Sequence, residues 1–372
     1  MPPLAATVAA TLAVRAGVSL LRAARERRAV GERERDRRFG LLRGEPLAEA
    51  VRRIALGQLD VAIASLDGRG DPHLSETAVH EARKALKRLR ALLSLIESEL
   101  GSERHAREDA VLDTIAQRLS ATRDADVLLA TLDALVERHP RRLRGRGGVL
   151  RLRAQLLSEV QSARGELQQP AAVAQAIGEL SACRVRVAAW SLPERDGLSL
   201  LEPGLARIYR QGRKRQRRVA AGRGARTRAM HRWRKRVKDL RYAAQMLQLE
   251  PDTRPSSIPK RGRDRRRRRE ARRDAAWLRR LERQADALGE LLGEEHDLAV
   301  MRDYVRAQPR GKRGGARVGR GTRRSLERLI AARRRQLRKE ALRRGERLYR
   351  RTPERFLRRV RRAHRGALRS FS

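Results

Sequence analysis

Two stretches of this chain carry the same ionisable side chains at the same spacing. Val79 to Glu97 reads VHEARKALKRLRALLSLIE, and Met230 to Gln248 reads MHRWRKRVKDLRYAAQMLQ. Aligned without a gap, His80, Arg83, Lys84, Lys87 and Arg90 meet His231, Arg234, Lys235, Lys238 and Arg241. Neither stretch contains Pro or Gly, and each is long enough for a helix of about five turns. On such a helix the His, the Arg and both Lys share one face, with Arg90 or Arg241 at its edge. The chemistry these types support is anion binding. An Arg fork grips two oxygens of an oxyanion, Lys adds a compact charge, and His donates an N–H. Side chains three and four apart lie about 5–6 Å from one another, a spacing that suits successive charges of an extended polyanion. An anion beside an imidazole raises its pKa, so affinity is expected to rise below neutral pH.

The opposite faces are apolar. Val79, Ala82, Leu86, Leu89, Leu93 and Ile96 form one, and Met230, Trp233, Val237, Leu240, Ala244 and Leu247 the other. Each helix is therefore expected to seat on a core and present its basic stripe outward. Leu47 to Leu66 has apolar residues at helical spacing and ends at Asp67-Gly68, and Ser75 is placed to cap the first basic helix. Glu103 to about Arg138 predicts a long helix or a helix pair. Val149 to Leu167 and Ala171 to Trp190 predict two more helices, divided at Pro170. The segment PERDGLSLLEP, residues 193–203, marks a boundary, after which the pattern restarts. Arg207 and Ile208 fall where Arg53 and Ile54 stand, the second basic helix follows, and His296-Asp297 falls where Arg123-Asp124 stands. Elements recur in order, as in a tandem duplication. No alternating strand pattern appears, and the expected fold is all-α. The expected divisions are an N-terminal Ala/Arg helix or flexible segment (1–38), a first helical half (39–192), a linker (193–203) and a second helical half (204–372). The second half holds an Arg-rich insert at about 259–283 and a Gly/Arg loop at about 309–322, and closes with a helix broken near Pro353.

The 372 residues carry a formal charge of +46, from 90 Lys and Arg against 44 Asp and Glu. Such a charge resists compaction unless an anion binds, and it predicts affinity for polyanions. Only eight of the basic residues are Lys, and Lys84, Lys87, Lys235 and Lys238 are four of them. The stripes thus hold compact charges in a chain that otherwise uses Arg. With 40% hydrophobic and 3% aromatic residues, the core must be built mainly from Leu, Ala and Val, which favours helices. Cys183 is the single cysteine, so no disulfide framework or cysteine metal site is expected, and a reducing cytoplasm is the expected compartment. The apolar start LAATVAATLAV stops at Arg15, short of the roughly 20 residues that cross a bilayer. It also lacks the basic opening of a signal peptide. No transmembrane segment is expected.

The paired H-x-x-R-K/R-x-x-K/R-x-L-R helices, the RDADV segment and the LGEEHDLAVMRD segment resemble the CHAD family, the conserved-histidine α-helical domain. The resemblance runs from roughly Arg38 to the C-terminus. It implies two four-helix bundles related by a pseudo-twofold axis, with the basic helices lining a central groove or tunnel. It also implies binding of inorganic polyphosphate and association with polyphosphate granules. By the same resemblance Arg123, Asp124 and Asp297 belong to the core of the fold: Arg123 reaching the anion and the Asp residues orienting Arg side chains, or all three serving structure. Arg53, Arg118 and Arg207, on helices beside the stripes, are outer candidates for anion contact. The Arg-rich insert and the Gly/Arg loop go beyond what such a domain needs and leave room for a second polyanion.

Other chemistries account for less of the sequence. His80 and His231 could share a metal, but cations at i+3 and i+4 repel a metal ion and no carboxylate shares that face. His296 stands among Glu294, Glu295 and Asp297, yet neighbours in sequence point in different directions around a helix. No metal or cofactor is expected. Related fusion proteins that hydrolyse triphosphate carry E-x-E-x-K on a strand; the nearest string here is Glu32, Glu34, Asp36, on a helix and without the Lys. No P-loop appears. Nonspecific nucleic-acid binding is the main rival, since the charge alone would give it, with steep salt dependence. The stripes offer no stacking rings, however, Trp233 being on the apolar face. A scaffold that coats granules is compatible with either ligand. The expectation is a non-catalytic, cytoplasmic polyphosphate-binding protein.

Overall fold

The structure, a computed structural model, describes residues 38–68, 75–167, 170–195, 197–222, 226–249, 264–308 and 319–370. The expected N-terminal helix, nearly all of the loop after Gly68 and most of the Gly/Arg loop lie outside them. The described chain forms α1 (Leu47–Leu66), α2 (Glu76–Leu100), α3 (Ser102–Arg118), α4 (Ala121–Arg138) and the single turn α5 (Pro140–Leu143). It continues as α6 (Gly147–Leu167), α7 (Pro170–Ala188), α8 (Glu202–Ala220) and α9 (Arg226–Met246), then α10 (Asp264–Ala307), α11 (Arg320–Leu348) and α12 (Pro353–Ser370). No strand occurs among the described residues; a lone bridge pairs Leu41 with Leu249. The fold is all-α.

Local chemistry explains where the helix carrying the first stripe starts and stops. Ser75 is extended, and its Oγ accepts from the Ala78 N–H at 3.2 Å, capping α2. Gly101, at φ 85°, ends α2 and turns the chain straight into α3. The stretch after Glu103 is the pair α3 and α4, broken at Leu119-Ser120 rather than continuous.

The helices close two cores. The larger gathers Ile54 and Leu59 of α1, Leu86, Leu89 and Leu93 of α2, Leu112 of α3, Leu180 of α7, Ile208 and Tyr209 of α8, Trp233 and Val237 of α9, Leu288 of α10 and Phe356 of α12. Burial of side chains of this size contributes roughly 1.5–3 kcal/mol each. The smaller core joins Leu128, Leu132 and Leu135 of α4 and Leu152 and Leu156 of α6 to Leu298, Met301 and Val305 of α10 and Leu326 and Ile330 of α11. Each core therefore draws on both sides of residues 193–203. That segment is itself packed, with Leu198, Leu200 and Leu201 buried. α2 buries more than the expected face, adding Ala85, Ala91, Leu92 and Leu95, because α1, α3, α8 and α9 all pack against it. The approach of α8 is the tightest: a Cβ on Gly204 would lie 1.9 Å from the Leu95 carbonyl oxygen.

The Arg-rich stretch is continuous with α10, a helix of 44 residues. From Asp274 onward it is part of the packing. Asp274 is buried and accepts from Arg359 and Arg362 of α12, while Leu278 and Leu281 enter the larger core.

Candidate anion-binding site

α10 passes from the larger core, at Leu292, to the smaller, at Leu298, and Leu291 packs against both. Between them lies a waist at Gly293 to Asp297. In the aligned sequence the α3–α4 junction at Leu119 to Asp124 falls opposite this segment. α2 and α9 pack against one another, and α4 packs against α10. α9 aims a side chain at this waist, and α2 aims one at the α3–α4 junction.

On α2, Arg83 is buried and its Nη1 donates to the Ala116 carbonyl oxygen at 3.2 Å and to Ser120 Oγ. A guanidinium there meets the negative end of α3. On α9, Arg234 lies over Gly293, where a Cβ would come within 3.4 Å of its Nη2. Ser120 and Gly293 stand at matching places in the two segments, so the two Arg side chains address corresponding points. His80 is exposed, Lys84 donates to Glu81 at 3.2 Å, and Lys87 is half-buried. Lys235 is exposed and Lys238 half-buried.

His231 meets a partner that its own helix does not supply. Its ring lies 4.6 Å from that of His296 on α10, and the Nδ1 atoms of both rings are buried without a hydrogen-bond partner. Burial lowers the His231 pKa, and Lys235, Arg234 and Lys238 lower it further. His296 is pushed down to about 4 by burial, His231, Arg234, Arg334 and Lys238. The second stripe is thus a place where burial and neighbouring cations both favour the neutral form of two imidazoles.

The carboxylates beside His296 hold this arrangement from behind. Glu294 accepts from Arg333 at 2.6 and 2.9 Å. Glu295, 1% exposed, accepts from Arg334, 3% exposed, at 3.0 Å and from Arg338 at 2.8 Å. Arg334 also donates to Thr227 Oγ1 at 2.9 Å, tying α11 to the start of α9. Glu294, Glu295 and His296 therefore point three ways, as neighbours on a helix must. Among the described residues no group of three or more His, Cys, Asp or Glu side chains is arranged to hold a metal.

Several of the expected contacts are engaged in tying helices together. Arg90 donates to Asp109 at 2.7 and 3.0 Å and also meets Asp113, clamping α2 to α3. Arg241 makes the matching bridge to Asp286 at 2.8 Å. Arg53 binds Glu45 at 2.7 and 2.9 Å and the carbonyl oxygens of Arg38 and Gly40, fastening the segment before α1. Arg118 meets Glu179 at 2.9 Å, and Arg207 meets Glu97 and the Ser94 carbonyl oxygen. Arg123 lies in the first turn of α4, and its side chain falls outside the described residues. Asp124 is exposed and Asp297 half-buried. His296, weighed in the sequence only as a match to Arg123 and as part of a carboxylate cluster, joins the second stripe through His231. Arg334 and Arg338 are not singled out by spacing at all.

A family model described as the CHAD domain matches residues 53–252. Among solved structures, PptA from Streptomyces chartreusis is similar at 15% identity and a TM-score of 0.53, over 82% of this chain and 100% of that one. The CHAD domain from the plant Ricinus communis is similar at 21% identity and a TM-score of 0.46, over 72% of this chain and 80% of that one. No curated protein matches the sequence. Among the described residues no helix is long and apolar enough to cross a membrane.

Proposed function

The chain belongs to the CHAD domain family, and from that premise we propose that it binds inorganic polyphosphate without catalysing a reaction on it. The site is the waist, with α2 and α9 as two copies of one basic helix, in a chain built by duplication of a helical unit and divided near residues 193–203. The protein works in the cytoplasm, on polyphosphate granules. The observation that carries this reading is the pairing of His231 and His296, whose rings lie 4.6 Å apart among the cations of the second stripe. Burial, and then the neighbouring cations, lower the pKa of both imidazoles, an arrangement that an anion would relieve. Bound phosphates would accept from Arg234, Lys235 and Lys238 and let the imidazoles take up protons. On the other side His80, Lys84 and Lys87 would continue the contact. Polyphosphate offers charge at every unit and no bases, so a ligand site without stacking rings suits it.

Titration with polyphosphate of defined length and with single- and double-stranded DNA of matched charge, across a salt series, tests the proposal. The parent is compared with a variant in which Lys84, Lys87, Lys235 and Lys238 are changed to Ala. Polyphosphate binding that persists in moderate salt while DNA binding fades, and that the variant loses selectively, is the expected result. Equal loss of all ligands with salt, and a variant that matches the parent, would sink it.

A further inference from the structure

α8 presents Arg210, Arg213, Lys214, Arg217 and Arg218 around a cavity of about 590 Å³ that ends on Pro353, the first residue of α12. These cations stand three and four apart along one helix, where like charges are neighbours and cost the helix stability. Elsewhere the chain answers such clusters with carboxylates: Arg343 and Arg344 meet Glu340, and Arg359 and Arg362 meet Asp274. Around this cavity none of the five forms an ion pair within the described residues. Arg213 instead donates from Nε to the Tyr349 carbonyl oxygen at 3.2 Å, which fixes its side chain at the wall. Glu354 is close enough to interact with Arg210, but its carboxylate is held at the start of α12 by its own backbone N–H and Thr352. Behind the wall, partial burial and the charges of Arg232, Arg218 and Arg236 depress the pKa of Arg215.

The cavity is separate from the waist. Leu205, Ile208 and Tyr209 turn the intervening face of α8 into the core, and Gln211 accepts from Arg236 of α9 at 3.0 Å on the side facing α9. A concave wall of one sign focuses its field on whatever enters. Its remaining lining, Ala221 and Pro353, offers no ring on which a base could stack.

We propose that this cavity is an anion site in its own right, which takes a segment of inorganic phosphate chain. The proposal rests on the polyphosphate reading above for the identity of the ligand. With the waist it makes the protein bivalent, so that one molecule holds two chains, or two stretches of one long chain, and packs them together.

Two variants of the full chain separate the sites. One changes Arg210, Lys214, Arg217 and Arg218 to Ala, all exposed positions, with an Arg-to-Lys version as folding control. The other is the four-lysine stripe variant. Calorimetry with a linear oligophosphate too short to reach both sites is expected to give two ligands per parent molecule and one per molecule of either variant. Turbidity with long polyphosphate is expected to fall at least about tenfold in the pocket variant. A parent that binds one oligophosphate, lost only in the stripe variant, overturns the pocket and leaves the waist standing. Binding lost only in the pocket variant sinks the waist reading and keeps the pocket. If single-stranded DNA of matched charge displaces oligophosphate from the stripe variant as well as polyphosphate does, the cavity is a generic cationic surface and the proposal falls.

Discussion

In α2 the residue after the stripe histidine is Glu81, which accepts from Lys84; in α9 it is Arg232, which stands near Arg215. His80 is exposed, whereas His231 is half-buried against a second imidazole. The position matching His296 in the first segment is Arg123, a guanidinium where the second segment has an imidazole. One motif thus yields an exposed histidine followed by a carboxylate and a half-buried histidine set against a second imidazole. The difference is set by single residues outside the shared pattern. It implies that the two helices contribute unequally, α9 supplying pH dependence and more of the affinity.

The largest test of that asymmetry removes the support behind α9. In Glu295→Ala the buried Arg334 loses its carboxylate, which should cost about 3–5 kcal/mol, measured by urea unfolding. Glu108→Ala, the comparison in the first half, removes a carboxylate that accepts from Arg186 at 2.7 Å and from Cys183 Sγ at 3.2 Å. Arg186 is partly solvated, so a smaller loss is expected there. Equal losses would mean that the carboxylate support behind His296 is no more deeply desolvated than the α3–α7 contact. Next come the lysine pairs. Lys235→Ala with Lys238→Ala removes two charge-assisted contacts of about 1.5 kcal/mol each, roughly a 100-fold loss of polyphosphate affinity. Lys84→Ala with Lys87→Ala should lose only about tenfold, Glu81 already offsetting Lys84, at under about 1 kcal/mol per contact. Equal losses in calorimetric titrations would break the comparison.

The smallest effect is on pH. For His231 and His296 the folded pKa is depressed, so the unfolded chain binds more protons than the folded one as pH falls from 6.5 toward 4. The free protein should therefore lose stability across that window. Polyphosphate, which favours the charged imidazoles, should bind more tightly across the same window, with proton uptake visible in buffers of different ionisation enthalpy. His231→Gln should flatten this dependence by several-fold between pH 7 and 5, and His80→Gln should leave more of it in place.

Much of the fold could be read locally. Leu47–Leu66, the Ser75 cap and the breaks at Pro170 and Pro353 depend on residues within a turn of one another, and they fall where spacing puts them. The continuity of α10 was hidden because Asp274, Leu278 and Leu281 are a sparse inward row inside a run of Arg. At the site, the stripe face was visible in both helices, but the fate of individual side chains was not. Arg90 and Arg241 look like the rest of the stripe until Asp109, Asp113 and Asp286 approach from other helices. His296 likewise acquires its meaning only from α9, across a contact that spacing along α10 cannot express.

α10 runs unbroken from Asp274, which holds α12, through the waist to Val305 in the smaller core. At 1.5 Å per residue its 44 residues make a rod of about 66 Å. Such a rod binds the two cores into one cooperative unit. Neither core can open without drawing a wall away from the other, and heat should melt them in a single transition. A chain of phosphates seated at the middle of the rod would then raise the melting point of the whole molecule, because the place it clamps is shared by everything that must come apart.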